Sequence, residues 1–455
     1  MTIQRRHTRR EASILIGLLW CVVLLALLVV GMLHSARMDL MVFKNYGDRL
    51  QAHYLAVAGI EKAKALLYHD ARERSRSQRS YSPALLDSPD DFRDVRMGRG
   101  MFRVVHRGRN DQGGAIQYGV SEEESRLNIN TASTEALAKL DGMTPDVAAA
   151  INDWRDGDNT VTPAGAEVEY YAAFKPPYTP RNGPLETTRE ALMIRGINRE
   201  RLFARDTHGN GLLDTAEAIN SDLELGWAAM LTVNSAVENV SASGSARVDV
   251  KTADETALKG VSGMTPEAAK AIIAYRGENN NKLKSIADLL DVPVPQNQNQ
   301  NNPSRTGRSS NSGAASTASK SENGPKAIDD DLLLKIADEL AVDTNPDSEG
   351  LINVNCASRE VLMCLPGISR ELAQAVVAYR ESAGFFQNIA YLLKVPGLNR
   401  ELFKQVAPLV TVRSETFRIL SEGVVSSTGT RQRVEEIVRI RLHTVKTVSY
   451  REDDL

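Results

Sequence analysis

The stretch Ala12-Ser13-Ile14-Leu15-Ile16-Gly17-Leu18-Leu19-Trp20-Cys21-Val22-Val23-Leu24-Leu25-Ala26-Leu27-Leu28-Val29-Val30-Gly31-Met32-Leu33 holds 22 residues without a charge. As a helix it rises ~1.5 Å per residue, about 33 Å in all, which crosses a hydrocarbon core of ~30 Å. Arg5, Arg6, Arg9 and Arg10 stand directly before it. Such a cluster favours an amino terminus held in the cytoplasm, with the rest of the chain across the membrane. The competing reading is a cleaved secretory signal, whose apolar region is shorter and ends in small residues. Leu33-His34-Ser35-Ala36-Arg37 is a poor cleavage site, so the span is preferred.

Apolar residues continue at steps of three and four beyond the run: Phe43, Tyr46, Leu50, Tyr54, Val57, Ile60, Ala63 and Leu67. That spacing predicts one face of a helix. No proline interrupts residues 12–69. Gly47 and Gly59 each weaken a helix by about 1 kcal/mol relative to alanine, a cost that packing can offset. One long helix is expected, its first half in lipid and its second on a soluble domain.

With Lys44-Asn45-Tyr46-Gly47-Asp48-Arg49-Leu50-Gln51-Ala52 and Gly59-Ile60-Glu61-Lys62-Ala63, this shape resembles a type IV pilin or pseudopilin. Among these it is most similar to the protein K family of the type II secretion system. The resemblance implies a minor pseudopilin of the bacterial inner membrane, with its carboxy-terminal domain in the periplasm. It implies partners among the other minor pseudopilins, types I and J, and among secreted substrate proteins. It also implies cleavage by a prepilin peptidase and methylation of the new amino terminus. The family is cut after a glycine; here the matching position is Glu11, ahead of Ala12. A cut there makes Ile16 the fifth mature residue, where most pilins carry a glutamate. A subunit without that carboxylate suits a fibre tip, where no subunit lies above.

A threefold repeat is the second signal. Segments 127–155, 248–276 and 352–380 align without gaps, with Gly142, Gly263 and Gly367 in register. Trp154-Arg155, Tyr275-Arg276 and Tyr379-Arg380 match as well. Register of this kind marks a repeated supersecondary unit. Each unit reads as helix, tight turn, helix, with Thr252 and Glu255 forming a capping box in the second. Residues 192–203 echo 393–403, and the second unit is split by an insert. The units look like helix-hairpin-helix modules, which often bind DNA backbones. Two features oppose that use here. The second glycine of a phosphate-binding turn is replaced by Thr144, Thr265 and Ser369. The first unit holds six acids against two bases over residues 128–158, whereas duplex DNA calls for clustered cations. No nucleic-acid partner is expected. The runner-up reading is a membrane-anchored DNA receptor of the competence type.

Strand signals flank the repeats at 101–107 and 115–120, and again at 417–425, 434–442 and 445–451. Strands from both ends are expected to share one sheet against the long helix. The expected fold is therefore α+β: a long helix on a small antiparallel sheet, with an inserted all-α domain of helix-hairpin-helix-like (SAM-like) repeats. The expected divisions are a leader at 1–11, the span at 12–33 and the helix with first strands at 34–125. The repeats fill 126–410, with a disordered low-complexity loop at 295–325, and the last strands fill 411–455.

Asp206-Thr207-His208-Gly209-Asn210-Gly211-Leu212-Leu213-Asp214-Thr215-Ala216-Glu217 follows the twelve-residue calcium loop. Its ligands would be Asp206, Asn210, the Leu212 carbonyl, Asp214 and Glu217. His208 is a defect at the third position. The protein K resemblance also implies a calcium-binding loop, so a structural Ca2+ is expected. A second acidic stretch, Asp153 to Asp158 with Glu167 and Glu169, fits no loop spacing and reads equally well as solvated surface.

The net charge of −3 excludes a strongly basic nucleic-acid surface overall. Three cysteines provide no disulfide framework. Cys356 and Cys364, on one helix, would stand ~12 Å apart against the ~7 Å a disulfide allows. Free thiols are expected. No H-E-x-x-H, G-x-S-x-G or phosphate-binding lysine loop occurs, so no enzyme is expected.

Overall fold

The computed structural model describes residues 7–77, 84–108, 116–206, 208, 209, 212, 226–278, 283–294 and 325–452, with side chains from Ile14 onward. Its amino-terminal helix α1 (His7–Ser77) is continuous for 71 residues. It holds one stretch long and apolar enough to cross a membrane, and none of that stretch is covered by the rest of the chain.

The packed part of α1 begins later than the apolar stripe suggests. Tyr46 and Tyr54 are 68% and 63% exposed, whereas Ala52, Leu55, Ala56, Ile60, Ala63 and Leu67 are buried. Steps of three recur too often between Phe43 and Leu67, so that stripe precesses by about 120° around the helix. The true seam follows residues 52, 56, 60, 63 and 67. Gly59 repays its helix penalty by close approach, since a Cβ there would collide with Ser421 and Phe102.

That seam lies on an antiparallel sheet built from both ends of the chain. Its strands are β1 (Val95–Met97), β2 (Gly100–Val104), β3 (Ser121–Glu122), β4 (Thr416–Val425), β5 (Arg431–Arg441) and β6 (Thr444–Arg451). The order is β1-β2-β4-β5-β6, with β3 also pairing to β4. Ser421 faces Val104, and Val425 faces Gly100. Ile419, Val434 and Val438 close the core with Ile60 and Phe92. The hairpin of 101–107 with 115–120 is realised as Gly100–Val104 and His106–Arg107, the latter paired with Ile116–Gln117. Residues 109–115, between them, lie outside the described residues.

Between β3 and β4 stand the three helical units. Each opens on a two-residue strand and closes on another, paired in parallel. The pairs are Leu127–Asn128 with Leu231–Thr232, Val248–Asp249 with Leu340–Ala341, and Ile352–Asn353 with Val410–Thr411. Helices Thr134–Leu137 and Pro145–Arg155 form the first hairpin, Glu255–Lys259 and Pro266–Glu278 the second, Arg359–Met363 and Arg370–Ser382 the third. The second unit resumes at Asp330–Ile336 after residues 295–324, which lie outside the described residues. Ser133, Asp254 and Ser358 cap the first helices by accepting from backbone N–H groups three positions on. The cap of the second unit is thus Asp254, not Thr252. The Thr252 hydroxyl donates to Asp249 instead, which leaves the capping role to the next side-chain oxygen.

The repeated arginines have one task. Arg380 donates to the Val354 and Ala357 carbonyls at 2.9 and 2.8 Å. Arg155 donates to Ile129 and Ala132, and Arg276 to Val250. Each ties the long helix to the opening turn of its own unit. All three cysteines are free, and Cys356 and Cys364 are buried. Cys356 precedes the helix that ends before Cys364, so the two do not share one helix as expected.

A buried ionic junction joins units to sheet. Burial pushes Glu123 up, but Arg418 and Arg126 hold it down at about 2. Beside it, burial raises Glu124 well above the usual carboxylate range.

Candidate metal centre

The helix Pro145–Arg155 packs Val147, Ala148, Ala150, Ile151 and Trp154 into the core of the first unit. On the same helix Asp153 is fully buried, which an isolated carboxylate resists. The loop that follows explains it. Thr162 donates its hydroxyl to Asp153 Oδ1 at 2.6 Å, and its N–H points at the same carboxylate at 3.3 Å. Gly165 lies so close over Asp153 that a Cβ would collide with Oδ2. The chain then enters the helix Val168–Ala172, whose Tyr171 meets Trp154 edge-on at 5.1 Å.

This wrap brings Asp153, Asp156 and Glu167 together, with one oxygen from each within 4.8 Å of the others. Glu167 is 1% exposed. Both of its oxygens, and Oδ1 of Asp156, are buried without a hydrogen-bond partner. Although Glu167 stands at the helix start, it makes no side-chain cap. Burial first, then Asp153, Asp156 and Asp158, push its carboxyl up to about 7. Burial likewise raises Asp156. The neighbouring cation, Arg155, is spent on the carbonyls of Ile129 and Ala132. Three carboxylates held this way suit a hard divalent ion. Calcium takes six to eight oxygens at 2.3–2.6 Å, so opposed ligands stand up to about 5 Å apart.

The sequence named this stretch second. Of its members the structure brings together Asp153, Asp156 and Glu167; Asp158 and Glu169 are exposed. The fourteen-residue gap from Asp153 to Glu167 gives no motif, and the only sequence signal is the density of acids before an aromatic cluster.

The first-named loop is only partly described. Asp206 is 4% exposed, and Leu212 is buried against Val105 and Leu420. Arg451 donates to the His208 and Gly209 carbonyls at 3.1 and 3.2 Å, fastening the loop to β6. Asn210, Asp214 and Glu217 lie outside the described residues. So do the side chains of Glu11 and Ala12, at the expected cleavage point in α1.

Residues 120–204 match the family model described as type II secretion system (T2SS), protein K. Residues 243–295 and 347–411 match the helix-hairpin-helix motif model. ComE operon protein 1 of Bacillus subtilis (strain 168) is 33% identical over 73 residues, covering 16% of this chain and 36% of that protein. Endonuclease/exonuclease/phosphatase family domain-containing protein 1 of Homo sapiens is 38% identical over 64 residues, covering 14% of this chain and 11% of that protein. The chain thus spans about a third or less of these curated relatives. The solved GspK-GspI-GspJ complex of the enterotoxigenic Escherichia coli type 2 secretion system contains a chain that superposes with a TM-score of 0.46 at 11% identity, covering 90% of this chain and 98% of that chain.

Proposed function

We propose that this chain belongs to the type II secretion system protein K family and works as a minor pseudopilin at the tip of the periplasmic pseudopilus. One observation carries the reading. A single 71-residue helix leaves its apolar first half uncovered and lays its second half on a sheet that leads directly into residues 120–204, which match the protein K model. An uncovered apolar rod of that length has two uses, anchoring in a bilayer and packing among like helices. The broad head of three units favours the end of a stack over its middle. In this reading residues 12–33 anchor the subunit in the inner membrane. The peptidase then cuts between Glu11 and Ala12, the mature amino terminus is methylated, and the partners are the type I and J pseudopilins and exported proteins. The role is structural and requires no catalysis. Affinity purification of the full chain from membranes of the secreting bacterium tests it. Recovery of the type I and J subunits, with export lost on deletion, is expected; their absence from the eluate sinks the tip assignment.

Calcium enters as a structural ion. Asp153, Asp156 and Glu167 would hold one, supported by the unpartnered buried oxygens. Asp206, Asn210, Leu212, Asp214 and Glu217 would hold a second, supported by loop spacing alone. Bound calcium would neutralise the acids and fix the wrap over Asp153.

The DNA-receptor alternative draws less support. Ser369 and Asn399, at the two hairpins of the third unit, accept from the N–H groups of Leu372 and Leu402. A phosphate would compete with those caps. Arg380 is turned inward as well.

A further inference from the structure

We propose that the end of the sheet nearest the span is a contact surface for anionic lipid headgroups, used while the subunit waits in the membrane. The inference rests on the reading of residues 12–33 as the anchor. Three observations lead to it. First, the direction of the sheet is fixed, because Gly423 of β4 lies against Ala52 and Ala56 of α1, and Gly100 lies against Leu55. The turn Ser426–Gly429 after β4 and the turn Gly98–Arg99 between β1 and β2 therefore point back toward the apolar run. They are joined there by the Ser426 N–H donating to the Arg99 carbonyl at 3.1 Å.

Second, this end is basic in a chain of net charge −3. Arg96, Arg99 and Arg431 are exposed, with Arg103 and Arg433 behind them. The inner pair grips buried Glu422, with Arg433 at 2.7 Å, while Arg431 stands 3.9 Å from the same carboxylate. Asp94 is the exposed acid in this hairpin. Met97, 51% exposed, adds an apolar contact among the cations. Arginines around one apolar side chain are the composition that binds an anionic interface.

Third, the distance is short enough. Ala52 follows Leu33 by nineteen residues, about 28 Å along an upright helix. The last residues of β4 and the turn return roughly 10 Å of that. Headgroups occupy about 6 Å more, and spanning helices tilt by ~20° on average, up to ~40°. What remains is bridged by an arginine side chain and a Debye length of ~8 Å. The intervening helix permits such a tilt, since Met38, Met41 and Val42, on the same side of the helix as the packed seam, are 49%, 47% and 64% exposed. Assembly into a fibre withdraws the helix and breaks the contact, so the surface retains the head near the bilayer only before assembly.

The test uses the full chain in nanodiscs of phosphatidylcholine alone or mixed with phosphatidylglycerol. A fluorophore is placed on Thr428→Cys in a Cys21→Ser background and read against headgroup-attached quenchers. The lipid-proximal population should rise at least tenfold with phosphatidylglycerol, because each arginine near an anionic surface contributes roughly fivefold. It should vanish in ~1 M salt, where the Debye length is about 3 Å, and in the R96Q/R99Q/R431Q variant. Equal proximity in both lipids, or no effect of salt or of the variant, overturns the proposal. A second sample labelled at native Cys21 is read against acyl-chain quenchers. If Cys21 is quenched while the Thr428 site ignores phosphatidylglycerol, the headgroup contact fails and the anchor stands; an unquenched Cys21 overturns both.

Discussion

The first and third helical units share one frame and differ in what hangs on it. In both, a polar residue caps the first helix, a glycine turns the chain, and an arginine ties the long helix back to the opening strand. The third unit runs from Ile352 to Thr411 with no long insertion. The first, from Leu127 to Thr232, carries extra chain after Arg155 and again after Phe203. The candidate metal centre forms where the first of these additions folds back over Asp153 of the frame helix, and the calcium-like loop lies on the second. The shared frame holds itself together by inward hydrogen bonds, whereas the added chain gathers carboxylates that nothing in the frame neutralises. Packing and inward hydrogen bonds account for the third unit, whereas in the first they leave buried carboxylate oxygens of Asp156 and Glu167 without a partner.

The largest expected effect breaks the shared frame. Arg380→Ala strips both donors from the Val354 and Ala357 carbonyls. An unsatisfied buried group costs about 1–3 kcal/mol, so roughly 2–6 kcal/mol is at stake. Arg276→Ala, with one carbonyl to lose, should cost about half as much. Hydrogen exchange read separately over 352–411 and 248–294 measures both. Equal, sub-kilocalorie losses would show that the arginines are not what closes the units.

The next test addresses the difference. Calcium at a hundredfold excess over its dissociation constant should stabilise the full chain by ~2.7 kcal/mol, with protection concentrated in residues 145–172. Glu167→Gln should remove that gain and raise the metal-free melting temperature, since it deletes a buried charge. The pH dependence has a definite sign. The folded carboxyl titrates at about 7, above its ordinary value of 4.5. The folded state therefore holds the extra proton between those values, and metal-free stability falls as pH rises from about 4.5 to 7. Calcium, which binds the ionised form, should flatten or reverse that slope. A melting temperature indifferent to both calcium and pH would rule the cluster out as a metal site.

Much of this frame was legible because it depends on pattern. The uncharged run from Ala12 to Leu33, the gapless register of the three glycines and the strands at both ends each carry a period that sequence displays. What stayed hidden depends on direction. Arg155, Arg276 and Arg380 align plainly, yet nothing in their spacing says that they turn inward. The stripe through Tyr46 and Tyr54 looked like the packed face because a run of three-residue steps conceals a slow rotation. The gathering of Asp153 with Glu167 arises from the fold of residues 162–167 over one carboxylate, a tertiary event with no periodic trace.

A finer comparison uses the turn glycines. Gly142 and Gly367 both adopt positive φ, at 71° and 69°. Alanine in that conformation costs about 1–2 kcal/mol at either site. At Gly142 a Cβ meets nothing, whereas at Gly367 it collides with Leu402 of the partner hairpin. The clash falls on the free end of a half-buried side chain that can turn aside, so Gly367→Ala should cost only about 1 kcal/mol more than Gly142→Ala. Denaturation midpoints of the two variants decide it. Equal losses would mean that the hairpins of the third unit pack less tightly than Gly367 and Leu402 indicate.

The smallest effect concerns the caps that separate this frame from a phosphate-binding one. Ser369→Gly with Asn399→Gly restores the missing second glycines and frees the N–H groups of Leu372 and Leu402. Replacing a capping residue by glycine costs only a few tenths of a kcal/mol, so the fold survives. Neither the wild-type chain nor this variant should retain duplex DNA in a low-salt gel shift. Free amides alone lack the clustered cations that salt-dependent binding requires. Arg380 cannot supply one while it holds the Val354 carbonyl, and Arg400 is paired with Asp330 at 3.0 Å. Retention by the variant alone would show that the two caps are what keeps the third unit off DNA. Retention by the wild type, weakening with salt, would show that the third unit is a nucleic-acid module after all.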